Sequence, residues 1–384
     1  MAPEPPTDWR LEIFHLIFAV PSFLVIARWL LPLGLPLWGK TALGALLIGA
    51  SQYHLGCRLS SGSMFAPEFP RPVVILFNWA FGAILLLAAL QLMLDFGTLV
   101  VILVLGKIVV EPEGLRYAIA GLAAVLAAIG VAAALRVPPL KDVEIVVHGL
   151  PTQFDGYRLI QLTDLHISRL YPARWVRAVV ERANAAGADL IVVTGDFIDG
   201  SVAMRRADVE PLRQLHAPDG IYAIPGNHEY FFDYPAWMRH LGALGFRMLP
   251  NAHAVLSRDG ADLVLAGVTD LSAPAAGQAG PDLDLALAGA RRDVPVLLLD
   301  HQPKNARDAA ALGVAIQLSG HTHGGMIRGL DQIVARANGG FVSGRYDVGG
   351  MTLYVSNGTA LWPGFALRLG VPSELTRITL RAGR

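Results

Sequence analysis

One cysteine stands in 384 residues, Cys57, and it falls in the apolar first part of the chain. The later part can therefore form no disulfide and offer no thiolate, so a metal site there must be built from nitrogen and oxygen donors. An excess of charge of either sign is missing too. Thirty-one Lys and Arg balance 31 Asp and Glu, which argues against a basic groove for nucleic acid. Charge is also scarce in one region: residues 1–140 hold eight basic and seven acidic residues, while residues 141–384 hold 23 and 24, with nine of the eleven histidines. The chain reads as two parts, 1–140 and 141–384.

What the first part has instead is long apolar sequence. Val73 to Leu94 runs 22 residues without a charge, and Tyr117 to Leu135 runs 19. A bilayer core takes roughly 20 helical residues to cross. Leu11 to Leu31 and Leu35 to Gly56 carry Glu12, His15, Arg28, Lys40 and His54 mostly near their ends, where snorkelling tolerates them. Phe96 to Val110 is shorter and contains Lys107. The expectation is a transmembrane helical bundle of five spans, or four without that stretch. Met1 to Arg10 holds prolines and acids rather than a basic leader, so the first helix is expected to remain. With five spans, Arg10, Arg58, Arg71, Lys107 and Arg116 face Arg28, Lys40, Arg136 and Lys141 across the membrane. That balance favours a cytoplasmic N-terminus and an outward second part; four spans reverse it. His15 and His54, near helix ends, are expected at the interface, with a functional role as the alternative.

From Lys141 onward, short apolar runs alternate with helix-length segments. Arg158 to Thr163, Asp189 to Thr194, Gly220 to Ile224, Val294 to Leu299 and Val314 to Ser319 read as buried strands. Helices are expected over Pro172 to Ala186, Arg205 to Leu215, Pro235 to Leu244 and Lys304 to Ala311. This is an α/β layout with helices covering a buried sheet. Asp164, Asp196, Asn227, His301 and His321 each sit just past one of these strands, on the rim where ligands bind in open α/β sheets.

Those residues belong to five ordered pieces: Asp164-Leu165-His166, Gly195-Asp196, Gly226-Asn227-His228-Glu229, His301 and Gly320-His321-Thr322-His323. Imidazoles mixed with carboxylates and an amide oxygen suit Mn, Fe or Zn. Two ions roughly 3.5–4 Å apart need a shared ligand, and Asp196, in the middle of the order, is the natural bridge. Gly195, Gly226 and Gly320 allow tight backbone turns beside the ligands.

The order D-x-H, G-D, G-N-H-E, H, G-H-x-H resembles the calcineurin-like metallophosphoesterase superfamily from about Val143 to the C-terminus. The words Leu162-Thr-Asp-Leu-His166, Val193-Thr-Gly-Asp196, Asp300-His-Gln-Pro303 and Ser319-Gly-His-Thr-His-Gly-Gly325 are similar to a bacterial branch of membrane-associated phosphodiesterases. An animal group of multi-span transmembrane metallophosphoesterases shares the two-part plan. The resemblance implies an α/β sandwich with its sheets flanked by helices and two divalent metal ions. Asp164, His166 and His323 would hold one ion, Asn227, His301 and His321 the other, with Asp196 bridging. His228 would face the phosphate, and Asp199, three residues past the bridge, would orient it; an Asx-type turn before Gly200 is the alternative for Asp199. Glu229 is expected to satisfy nearby backbone or ligand groups, with a catalytic role as the alternative. Asp300 is a charged residue where the branch often has a small one.

The reaction implied is hydrolysis of a phosphoester, in this branch a phosphodiester, by a metal-bridging hydroxide. The bacterial branch implies a multi-pass protein of an inner membrane, whose substrate could be lipid-linked or belong to the cell envelope. Alternatives are a phosphomonoesterase on lipid or nucleotide esters, a non-catalytic metal-binding scaffold, and an accessory to a transporter. Trp362 and Phe365 are expected either to dip toward the bilayer or to pack in the core.

Overall fold

Leu190–Thr194 and Val296–Leu299 are apolar almost throughout because both of their faces are covered. In the computed structural model, which describes residues 14–106, 110–291 and 293–383, tertiary contacts divide the chain into two units. One ends at Ala133 and includes the short segment Pro363–Leu367; the other comprises Ala134–Trp362 and the chain from Arg368 onward.

The helical unit contains α1 (Phe14–Val25), α2 (Leu37–Ser51), α3 (Tyr53–Ser61), α4 (Arg71–Leu105) and α5 (Glu113–Ala134). Among the described residues, α4 with 35 residues and α5 with 22 are long and apolar enough to cross a membrane; Leu16–Leu30 is apolar but shorter. The expected count of five spans is therefore not reproduced. Phe96 to Val110 forms no helix of its own, since α4 runs through Asp95 to Leu105. Asp95 does not interrupt it because its carboxylate accepts from Arg28 Nε at 2.9 Å and from Gln91 Nε2 at 2.8 Å. Gly106 stops the helix in a left-handed conformation, φ 64°. Arg10, Lys107 and the side chain of His15 lie outside the described residues.

Within the same unit, Pro363–Leu367 is bound by buried polar side chains. Tyr53 Oη and Asn78 Nδ2 each donate to the Pro363 carbonyl at 2.9 Å, Asn78 Oδ1 accepts from Ala366 N–H at 2.6 Å, and His54 Nε2 lies 3.0 Å from the Gly364 carbonyl oxygen. Phe365 packs edge-on against Phe81, and His54 is buried.

The second unit is a sandwich of two six-stranded sheets. The first has the order β1 (Leu140–His148), β12 (Leu375–Gly383), β2 (Arg158–Leu162), β3 (Leu190–Thr194), β4 (Ile221–Ile224), β5 (Arg247–Met248). The second has β10 (Gly344–Val348), β11 (Met351–Val355), β9 (Ile316–Ser319), β8 (Val296–Leu299), β7 (Ala261–Gly267), β6 (Ala252–Arg258). β2 to β5 are mutually parallel, as are β7, β8, β9 and β11. Strand periodicity divides their side chains: Leu297 and Leu299 enter the core between the sheets, while Val296 and Leu298 meet the outer layer with Ala306 and Ala309. That outer layer includes α11 (Ala306–Ala311); α6 (Ala173–Ala185), α7 (Val202–Val209), α8 (Asn227–Phe231), α9 (Tyr234–Ala243), α10 (Leu283–Ala286) and α12 (Asp331–Ala337) complete the α-helices. The expected helix over Arg205 to Leu215 is split, turning from α7 into a 3-10 segment at Glu210, one residue before Pro211.

Leu265, fully buried between the sheets on β7, tests this packing. Leu265→Ala should lower the unit's unfolding free energy by about 2–5 kcal/mol, read as a lower urea midpoint of the purified chain.

Candidate metal centre

Every parallel strand of the first sheet from β2 to β4 and β8 and β9 of the second delivers its following loop to one place. Asp164 and His166 follow β2, Asp196 and Asp199 follow β3, Asn227 and His228 open α8 after β4, His301 follows β8, and His321 and His323 follow β9. Five of these turn into left-handed backbone: Asp164 (φ 52°), His166 (42°), Asp196 (54°), His321 (68°) and His323 (50°). That conformation costs roughly 1–2 kcal/mol for a residue carrying a Cβ, and such strain concentrates at functional sites.

The turns aim donor atoms at one another. Three overlapping groups result: Asp164, His166 and His323; His166, Asp196 and His228; and Asp196, His301 and His321; within each, the candidate ligand atoms all lie within 4.8 Å of one another. His166 Nε2 stands 3.7 Å from Asp196 Oδ2 and 4.0 Å from Asp164 Oδ1, and His301 Nε2 stands 3.3 Å from Asp196 Oδ2. Asn227 Oδ1 joins the last group, 3.1 Å from His301 Nε2 and 2.8 Å from His321 Nδ1. His301 Nδ1 donates to the Thr194 carbonyl at 2.7 Å, which turns Nε2 inward and sets the tautomer. Ligands about 2.0–2.2 Å from a shared ion stand close to these separations from one another. His166 Nε2 is buried and has no hydrogen-bond partner among the described residues, as a nitrogen reserved for a cation would be. The donor set fits divalent ions.

The buried groups act strongly on one another's protonation. Burial works against ionised Asp196, yet His301, His228 and His166 around it hold its carboxyl well below the usual carboxylate range. Burial likewise opposes a charged His301, but Asp196 and Asp164 raise it well above the ordinary histidine value. Burial and His301 depress His321 to about 3, and burial and His166 keep His323 neutral, the form in which imidazole binds metal.

Around the donors, two acids hold the geometry. Asp199 is fully buried and reaches two histidines: its Oδ2 lies 3.1 Å from His166 Nδ1, and its Oδ1 makes a short hydrogen bond with His228 Nδ1. The contact to His166 is one that the sequence does not reveal. Burial opposes His228 protonation, but Asp196 and Asp199 push its pKa up to about 9. Glu229 accepts from the backbone N–H groups of Gly226 (2.6 Å), Phe197 (2.8 Å) and Asp196 (3.0 Å), pinning the β3 and β4 loops together. Asp300 faces away from this constellation; it lines a cavity of about 750 Å³ with Asn251, Leu271 and Asp282, and burial with Asp270 nearby raises its pKa to about 8. Of the three glycines, Gly195 alone takes a positive φ, 93°. Gly226 and Gly320 are needed for contact rather than for turning: a Cβ would strike Asp196 at the first and Thr163 and Asp164 at the second.

Sequence reasoning missed the loop after β11. Thr359 N–H donates to Thr163 O at 2.8 Å and Ala360 N–H to Asp164 O at 2.9 Å, so that loop walls the site. Its signal was available, because Asn357-Gly358 stands just past an apolar strand as the recognised ligands do.

Residues 157–325 match the family described as calcineurin-like phosphoesterase. The chain is 31% identical over 240 residues to YkuE, an uncharacterised metallophosphoesterase of Bacillus subtilis, covering 61% of this chain and 82% of that protein. This chain belongs to the calcineurin-like phosphoesterase family. It is also 35% identical over 267 residues to a transmembrane protein with metallophosphoesterase domain from Danio rerio, covering 67% of this phosphoesterase and 61% of that protein. The phosphoesterase thus spans about three fifths of the length of the transmembrane relatives it matches. In structure it is similar to a dimetal phosphatase from Danio rerio, at 14% identity and a TM-score of 0.33, with 53% of this chain and 88% of that one covered.

Glu229→Gln replaces an acceptor of three amides by a group with one donor face. It should weaken binding of Mn²⁺ about 10–100-fold, the usual cost of losing a partner behind the ligands, measured by titration of the metal-stripped chain.

Proposed function

We propose that the chain is a membrane-anchored phosphodiesterase, with a helical region of residues 1–140 and a catalytic domain of residues 141–384, that uses two divalent ions. Asp164, His166 and His323 would hold one ion and Asn227, His301 and His321 the other, with Asp196 shared between them. The observation that carries this reading is the placing of two donor groups on either side of one buried carboxylate, with an acid-held histidine beside them.

When bound, such a pair lowers the pKa of water and neutralises phosphate oxygens in an in-line displacement. The chain's own residues do the rest. Asp199 engages His228 Nδ1 and so turns its Nε2 inward, 4.0 Å from Asp196 Oδ2, where in this reading it faces the phosphate. From there it donates a proton to the leaving ester oxygen and regains it from solvent. Asp199 stays ionised, since His228 and His166 outweigh its burial, and acts as a positioning residue. Anchoring is supported by α4 and α5, by exposed apolar side chains such as Phe96, Leu103 and Val104 on α4 and Val125 and Ile129 on α5, and by relatives named as transmembrane proteins. A membrane-borne site favours a lipid-linked or envelope diester, because tethering raises effective concentration.

The test is hydrolysis of bis-p-nitrophenyl phosphate and p-nitrophenyl phosphate by the purified full chain, metal-stripped and then supplied with Mn²⁺, Zn²⁺ or Fe²⁺. Metal-dependent turnover that favours the diester is expected, and Asp196→Asn should abolish it. Preference for the monoester would replace the phosphodiesterase reading, and no turnover by a chain holding two ions would replace the enzymatic one. His228→Ala should lower kcat about 10²–10⁴-fold while metal content stays unchanged. Asp199→Asn removes the counter-charge of the His228 imidazolium, so the alkaline limb of the kcat–pH profile should move to lower pH.

A further inference from the structure

Arg368 is 2% exposed; its two terminal nitrogens donate only to backbone carbonyls, and its Nε has no hydrogen-bond partner among the described residues. Nη1 donates to the carbonyls of His323 (3.0 Å) and Val371 (3.3 Å), and Nη2 to those of Asn357 (2.6 Å) and Ala360 (3.1 Å). A buried cation bonded only to carbonyls is expensive, and an apolar side chain of similar volume would fill the space without that desolvation. What the carbonyls have in common is position. His323 is itself a ligand candidate in left-handed backbone, and Ala360 donates its N–H to the carbonyl of Asp164. The guanidinium thus closes a ring from His323 through the β11 loop to Asp164. Gly358 completes the contact. It has φ 80°, and a Cβ there would lie 3.0 Å from both His323 Nδ1 and Asp164 Cβ, so its bare backbone packs flat against two ligands.

We propose that Arg368 and Gly358 are positioning residues chiefly for one metal position, that of Asp164, His166 and His323. The hydrogen bonds of Arg368 and the close approaches of Gly358 fall on His323, Asp164 and the loop between them, and the position of Asn227, His301 and His321 is reached only at second hand, through the His321 N–H that Asp164 accepts at 3.1 Å. The inference rests on the two-position reading above. It extends the metal centre past residue 325, where the family match ends.

The experiment uses the purified full chain, metal-stripped and equilibrated with graded Mn²⁺, reading bound metal by elemental analysis and the spin-coupled signal of a bridged Mn²⁺ pair by electron paramagnetic resonance. The wild type should hold two ions and show the coupled signal; fewer than two would overturn the two-position reading itself. Arg368→Met should weaken one position about 10–100-fold, so that at Mn²⁺ just saturating the wild type it holds one ion and the coupled signal is lost. Arg368→Lys, which keeps the charge without the planar fork, should recover part of the affinity. Gly358→Ala should give the same one-ion state with no change of charge. Two ions bound with wild-type affinity in Arg368→Met, or equal weakening of both positions, would overturn the proposal. If Arg368→Met does not fold, Gly358→Ala decides by the same readings; failure of both to fold would make the loop a general structural element and overturn it too.

Discussion

The centre depends on one constraint: carboxylates and imidazoles are brought together out of water by backbone that would rather be elsewhere. Five of the converging residues lie in left-handed conformations, each costing roughly 1–2 kcal/mol. The two sheets make this tenable. Their parallel strands end at one rim, and the turns that follow are held by continuing backbone pairing, with His166 N–H on Asp196 O and Asp164 N–H on Gly195 O. The strain is thus distributed over a rigid frame rather than left to mobile loops.

The same crowding sets the charges. Asp196 is buried among three imidazoles that stabilise its ionised form against desolvation, while Glu229 and Asp199 act from behind. Glu229 is buried beside Asp196 and has its pKa raised to about 8, first by burial and then by that neighbour; three backbone amides offset part of the penalty. Asp199 distributes its two oxygens between His166, a ligand candidate, and His228, a proton-donor candidate. Position and protonation are therefore coupled through one carboxylate, which makes the ligand shell and the acid–base group parts of a single network.

The helical unit obeys other rules. Its long helices carry apolar side chains outward, as α4 does at Leu103 and Val104, and its few buried polar groups are engaged. Asn78 both donates to Pro363 O and accepts from Ala366 N–H. Gly82 leaves the space that Leu367 fills, since a Cβ there would lie 2.5 Å from Leu367 Cδ1. A segment so near the end of the sequence belongs to a unit that otherwise ends at Ala133, which no composition window could have revealed.

By itself the sequence determined the two-part composition, the five strands that lead into the candidate site and the identity of the metal-binding family, since apolar period, strand-end position and ordered motifs are local properties. The pairing of Asp199 with His228 came with the family resemblance. The sequence did not show that the apolar stretch after Asp95 continues the preceding helix, since apolar length does not register that Asp95 can be satisfied inside it. Only the tertiary structure decided that Asp199 serves two histidines, that Gly226 and Gly320 are required by contact, and that Gly358 and Arg368 stand against ligands more than 30 residues earlier in the chain. Those facts depend on which loops meet at the rim, and that follows from the strand order of two sheets that no local pattern encodes.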